Sequence, residues 1–194
     1  MDRVEAILNF WFGDPALPNS EYGQQRQVWF KKDPAFDETL RDHFLADYER
    51  AAAGQLNDWQ AQPHSCLALI VLLDQLPRNL FRGDPRSFAT DGQALATARY
   101  AVQQGFDQAL IAVERIFVYL PFEHSENLAD QQESVRLSQA LVHQHPELEN
   151  IFDYALRHRD VIERFGRFPH RNEVLGRETT PAEAEFLTQP GSRF

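Results

Sequence analysis

Three segments of this chain run from apolar residues straight into charged ones, where a purely structural sequence would place a solvated turn. LLDQLPRNLFRGD carries Asp74, Gln75, Arg78, Asn79 and Arg82; YLPFEHSE carries Glu123, His124 and Glu126; ERFGRFPHRN carries Arg164, Arg167, His170, Arg171 and Asn172. Brought together, Asp74, Glu123 and Glu126 would face Arg78, Arg82, Arg164, Arg167 and Arg171, which leaves two positive charges over. An uncompensated buried ion costs several kcal/mol, so a bound anion or a carboxylate from elsewhere in the chain must neutralise the excess. Guanidinium forks match carboxylate and phosphate oxygens two at a time. The pattern predicts a buried pocket between helices for a small phosphate- or carboxylate-bearing ligand. Arg78, Arg82, Arg167 and Arg171 would be the anion contacts, oriented by Asp74, Glu123 and His124. Phe165, Phe168 and Pro169 alternate with the arginines, and aromatic faces can hold guanidinium planes.

Other chemistries compete for these residues. Arginines and carboxylates at helix ends also form purely structural ion-pair networks. Acid–base catalysis would fall to Glu123 or His124, given reach to a substrate and a tuned pKa. Ser125 is no nucleophile for His124, because neighbouring side chains face apart. Glu123, His124, Glu126, His158 and His170 are competent metal ligands. Their spacing is poor, since adjacent residues point about 100° apart on a helix and neither Glu-x-x-His nor His-Glu-x-x-His occurs. No metal and no cofactor is expected. A Gly-rich phosphate loop and a nucleophile elbow are also missing from the sequence. His158, with Ile162 and Phe165 on its helical face, reads as a satisfied core histidine before a ligand.

The elements that must position these groups are helical, because no stretch sustains period-2 alternation between hairpin turns. Arg3 to Phe12 is amphipathic and stops at Gly13 and Pro15. Asp33 and Pro34 open a helix with Phe36, Leu40, Phe44 and Tyr48 along one stripe, ending at Gly54. Pro63 to Leu76 has no polar face, which marks a central helix ended by Pro77. Further helices are expected from Thr90 or Asp91 to Gln104 and from Gln108 to Leu120. Ser125 to His145, with Ser125 as N-cap, and Pro146 to Phe165 are joined by almost nothing and should form a hairpin. Thr180, Pro181 and Glu183 spell a capping box for the last helix. Gly166 and Gly176 read as helix or turn terminators.

Composition sets the frame. The 194 residues are 43% hydrophobic and 25% charged, as expected of one globular domain spanning the chain. A net charge of −10 disfavours nucleic acid and anionic membranes as partners. The exception is local: six arginines between Arg157 and Arg177 face Asp160, Glu163 and Glu173. Cys66 stands alone, which fits a reducing, cytoplasmic setting. The start of the chain lacks signal-peptide character, and the apolar run Cys66 to Leu73 is too short to span a bilayer. Trp11, Phe12, Trp29 and Phe30 could be core or a dimer face.

The motifs LLDQLPRNLFRGDPRSFATD, YLPFEHSENLADQQESV and HRDVIERFGRFPHRNEVLGRETTPAEAEFL resemble the signatures of a bacterial family called domain of unknown function 924, in the same order and over nearly the whole chain. The resemblance implies an all-α fold of stacked antiparallel helical hairpins, a tetratricopeptide-like right-handed superhelix, and no assigned reaction. Its motif positions fall on Asp74, Gln75, Arg78, Asn79 and Arg82, then Glu123, His124 and Glu126, then His158, Arg159, Arg164, Arg167, His170, Arg171 and Asn172. Leu76 departs from the usual Phe, a packing difference. Two functions are compatible with such a chain. One is a small-anion pocket; the other is a scaffold whose groove takes a peptide carboxylate, with the motif residues as a structural network.

Overall fold

Apolar residues three and four positions apart become helix throughout the computed structural model, which describes residues 2–29 and 31–192 and contains no strand among them. The helix α1 (Arg3–Phe12) buries Ile7, Leu8, Trp11 and Phe12. It ends at Gly13, whose φ is 91° and where a Cβ would lie 2.0 Å from the Ser20 carbonyl oxygen, so only glycine fits. The second helix, α2 (Pro34–Ala52), is capped by the Asp33 carboxylate, which accepts from the Ala35 and Phe36 N–H groups, and buries Leu40, Phe44 and Tyr48.

The central helix departs from expectation. It does not stop at Pro77 but runs as Pro63–Ile70, a π-helical turn at Val71–Gln75, and Leu76–Leu80, together α3. Proline has no N–H for the carbonyl four residues earlier, here that of Leu73. The Thr90 hydroxyl donates to that oxygen at 2.6 Å instead. Within the π-turn the Leu76 N–H reaches back to the Val71 carbonyl. The extra residue of the π-turn thus lets the chain pass the proline without leaving the helix. Leu67, Leu69, Ile70, Val71 and Leu72 are all within 1% of complete burial, each contributing about 1.5–3 kcal/mol of transfer free energy.

The remaining helices are α4 (Asp91–Gln103), α5 (Ala112–Glu123), α6 (Leu128–Gln144), α7 (Glu149–Phe165) and α8 (Pro181–Leu187). Three starts differ from the reading above, that of α7 because Pro146–Leu148 forms a 3-10 turn ahead of Glu149. Helix α5 begins at Ala112 rather than near Gln108, because Phe106–Ala109 forms a separate 3-10 turn and the Glu114 carboxylate accepts from the Ile111 N–H. Helix α6 is capped by Asn127, not Ser125. The Ser125 hydroxyl instead bonds Asp130 at 2.7 Å. Helices α6 and α7 pack as a hairpin across the short turn Pro146–Leu148. Gly166 ends α7 with φ 69°, its N–H on the Ile162 carbonyl.

The chain gathers into two compact units, one formed by the residues up to Arg82 with Arg86–Pro121, the other by Gly83–Pro85 with the residues from Phe122 onward. The first has an aromatic centre at Phe117, whose ring meets those of Trp11, Phe12 and Trp29 at 4.8–5.7 Å between centroids. Trp11, Phe12 and Trp29 are therefore core, not a dimer face; Phe30 lies outside the described residues. In the second, Val161, Ile162 and Phe168 form a cluster extended by Phe165 and Phe186. Among the described residues no helix is long and apolar enough to cross a membrane.

Candidate functional site

The first motif lies in the first unit, and its arginines are committed to carboxylates. Asp74 sits fully buried in the π-turn, where the Gln75 amide donates to it at 2.6 Å. Arg78 bonds the Asp74 carbonyl, lies 3.5 Å from the Asp74 carboxylate, and makes a two-armed pair with Asp91 at 2.9 and 3.1 Å. Arg82 holds Asp37 with two arms at 2.6 and 3.0 Å, and Asn79 adds a bond to Asp37 at 2.7 Å. Burial pushes the Asp37 carboxyl up, but the bonds from Arg82 and Asn79 outweigh it and hold it below the usual range.

The second and third motifs meet in the second unit, around Phe168. Its N–H donates to Glu126 at 2.8 Å, and its carbonyl accepts from Arg177 at 2.9 Å. Its ring lies 5.6 Å from each of His158 and His170, and the Arg171 guanidinium sits 4.6 Å above it. Arg177 also grips Glu126 with two arms at 2.6 and 3.0 Å and donates to the Asn172 side-chain amide oxygen at 3.0 Å. Arg167 makes a two-armed pair with Glu183 at 2.6 and 2.9 Å. Glu183 simultaneously closes the capping box of α8 with Thr180, and the Arg167 bonds lower its carboxyl to about 2. The irregular stretch between α7 and α8 is longer than most connections, and these pairs pin it.

Glu123, at the end of α5, places Oε1 3.2 Å from His158 Nδ1, which is also 2.8 Å from the Tyr154 carbonyl. Burial pushes His158 down to about 3; the Tyr154 carbonyl opposes this, and His124, His170 and Arg171 reinforce it. The ring is neutral, with its proton on Nδ1 between the two acceptors. Burial, followed by Arg171, likewise pushes His170 to about 3. A base with so low a pKa is almost powerless at neutral pH. His158 acts as a neutral hydrogen-bonding group, and the neutral His170 ring packs against Phe168. Among the described residues no three His, Cys, Asp or Glu side chains assemble into a metal cage.

Arg164 stands apart. It is exposed on α7, with its guanidinium 4.7 Å from the Phe165 ring and 5.9 Å from that of Phe186. It makes no ion pair with any described residue. It lines a cleft of about 250 Å³ together with Arg157, Asp160, Phe186, Gly191 and others. Arg159, also on α7, is spent on Asp160 at 2.6 Å and lies 3.5 Å from Glu163.

The charge excess expected from the motifs is thus met by Asp37, Asp91 and Glu183, carboxylates from elsewhere in the chain. Sequence reasoning assigned Asp91 and Glu183 only to helix starts and passed over Asp37 in the first turn of α2. An acidic residue is favoured there by the helix dipole alone, so its second role leaves no separate mark. Arg157 and Arg177 were noted only as the bounds of the arginine-rich stretch, and Phe186, inside the third motif, was given no role.

These features define an all-helical protein whose charged motif residues are largely tied down by its own helix-start carboxylates. Over residues 7–191 the chain matches the family described as bacterial protein of unknown function (DUF924), and it belongs to that family. It is similar to the solved structure of a protein of unknown function, ATU0120 from Agrobacterium tumefaciens, with 42% identity, 95% of this chain and 96% of that chain covered, and a TM-score of 0.82. No curated protein matches the sequence.

Proposed function

We propose that this protein binds a small anionic ligand, phosphate- or carboxylate-bearing, at the Arg164 cleft, and that the ion pairs of the same unit, Arg167–Glu183 and Arg177–Glu126, form the frame that holds the cleft in place. The state of Arg164 carries this reading: its planar fork rests on two aromatic rings and is matched by no described carboxylate. Such a guanidinium is pre-oriented to meet an oxyanion two-armed. Of the four contacts expected from sequence, Arg78, Arg82 and Arg167 are already matched by Asp91, Asp37 and Glu183, and Arg171 is buried against the Phe168 ring.

A second reading, a tetratricopeptide-like scaffold for a peptide carboxylate, draws support from the way successive helices pack on their neighbours, α2 and α4 on α3 in one unit and α6 on α7 in the other. Both readings use Arg164. Thermal unfolding against a panel of anionic metabolites, inorganic phosphate and short peptides tests them. A ligand at 100 times its Kd adds about 2.7 kcal/mol, or roughly 5–10 °C for a chain of this size. The expected outcome is a shift of that order in the wild type and none in Arg164→Ala. A shift that survives the substitution, or a panel without effect, contradicts the anion site.

A further inference from the structure

Resting on the Arg164 reading, we infer that the cleft selects a monocarboxylate with a flat apolar body rather than a phosphate. Charge is the first argument. Among the described residues Arg157, Arg164 and Asp160 line the cleft, and Arg159 and Glu163 pair beside Asp160, which together leave a net charge of one positive unit; this suits a single negative charge, and a phosphate dianion would carry one charge more than these groups match.

Of the two arginines, only Arg164 has its whole fork to offer. Arg157 already donates to the Gly191 carbonyl at 3.0 Å and lies 5.1 Å over the Tyr154 ring. Gly191 permits this approach: its φ is 75°, and a Cβ there would fall 2.3 Å from the Arg157 Nη2. Arg157 is thereby fixed at the edge of the cleft, a positive wall whose orientation the backbone sets. One guanidinium fork meets both oxygens of a carboxylate, whereas of a phosphate it meets two oxygens and leaves the others to water or further donors.

The floor is the second argument. The Phe165 and Phe186 rings lie 5.2 Å apart and tilted by 51°, and both pack on the Val161–Ile162–Phe168 cluster. They are anchored, so a flat body laid against them buries apolar area without ordering the rings first. About 250 Å³ holds a ring with a short acid side chain, slightly under the usual range for drug-sized ligands.

The test is an NMR titration of the full chain, following the Arg164 Nε–H signal, with benzoate, phenylacetate, acetate, phenyl phosphate and inorganic phosphate. Benzoate or phenylacetate should shift that signal saturably, bind at least about tenfold more tightly than acetate or either phosphate, and lose that advantage in Phe186→Leu, which keeps the apolar volume but removes the flat face. Tighter, Arg164-dependent binding of either phosphate overturns the monocarboxylate class and leaves the anion site standing. Acetate binding as well as benzoate overturns the flat body alone. No binding by any probe, or benzoate binding unchanged in Arg164→Ala, overturns the class and the anion site together.

Discussion

The Thr90 hydroxyl donates to the carbonyl oxygen of Leu73 at 2.6 Å, and Leu73 is the residue whose carbonyl Pro77 cannot serve. Two residues seventeen positions apart therefore repair a break that the proline makes in the most buried helix of the first unit. The continuous helix then carries Asp74, Arg78 and Asn79 in one register, and Arg82 follows two residues past its end.

Replacing Thr90 with valine keeps the shape and strands that buried carbonyl. Thr90 is 4% exposed, so solvent cannot take over. The expected loss is about 1–3 kcal/mol in urea unfolding, with Thr90→Ser, which keeps the hydroxyl, recovering most of it. Equal stability in Thr90→Val and wild type would mean that the Leu73 carbonyl finds another donor.

The histidines near Phe168 give the fold an acid-side dependence of definite sign. His158 and His170 bind a proton near pH 6.5 when unfolded but only near 3 when folded. Their contribution is complete above pH 6.5 and is lost as pH falls toward 3, because the unfolded chain takes up the protons first. With two rings, stability should drop by roughly 2 kcal/mol between pH 6 and pH 5. Urea unfolding at those two pH values measures it, and a flat response would place one or both rings in contact with water or a stabilising anion.

Glu183 acts lower on the scale. Held at about 2 in the fold, mainly by Arg167, it stabilises above its unfolded value near 4.3 and loses that contribution as pH falls through 2. In Glu183→Gln the additional loss of stability between pH 4.5 and pH 2.5 should vanish, while the Thr180 cap on α8 can still form through the amide. A wild-type acid profile that the substitution leaves unchanged would remove Glu183 from the account.

The helices were legible because their spacing and caps are local properties: Asp33 before Pro34, the Thr180–Glu183 box and the hairpin broken near Pro146 all appear where the residues put them, although Pro146 itself opens a 3-10 turn rather than the helix. The path past Pro77 was not, because its repair depends on Thr90, which the fold alone brings near Leu73. The membership of the charged set was legible and its pairing was not. Arg82 could have faced Glu123 or a ligand as readily as Asp37, and only three-dimensional position chooses. Arg164 shows the same limit from the other side: it shares a motif with Arg167 and Arg171, yet it emerges exposed in a cleft, Arg167 is tied to Glu183, and Arg171 is buried against Phe168.

The most direct test sets Arg164→Ala beside Arg167→Ala, comparing the unfolding midpoint without ligand and the shift produced by a saturating anion. Arg164→Ala should melt within about 2 °C of wild type, as an exposed substitution does, and lose the anion-induced shift. Arg167→Ala should melt clearly lower, because it strands the Glu183 carboxylate, and keep the shift. The reverse pattern, with Arg167 needed for binding and Arg164 for stability, would contradict the account and return the ligand to the buried motif arginines.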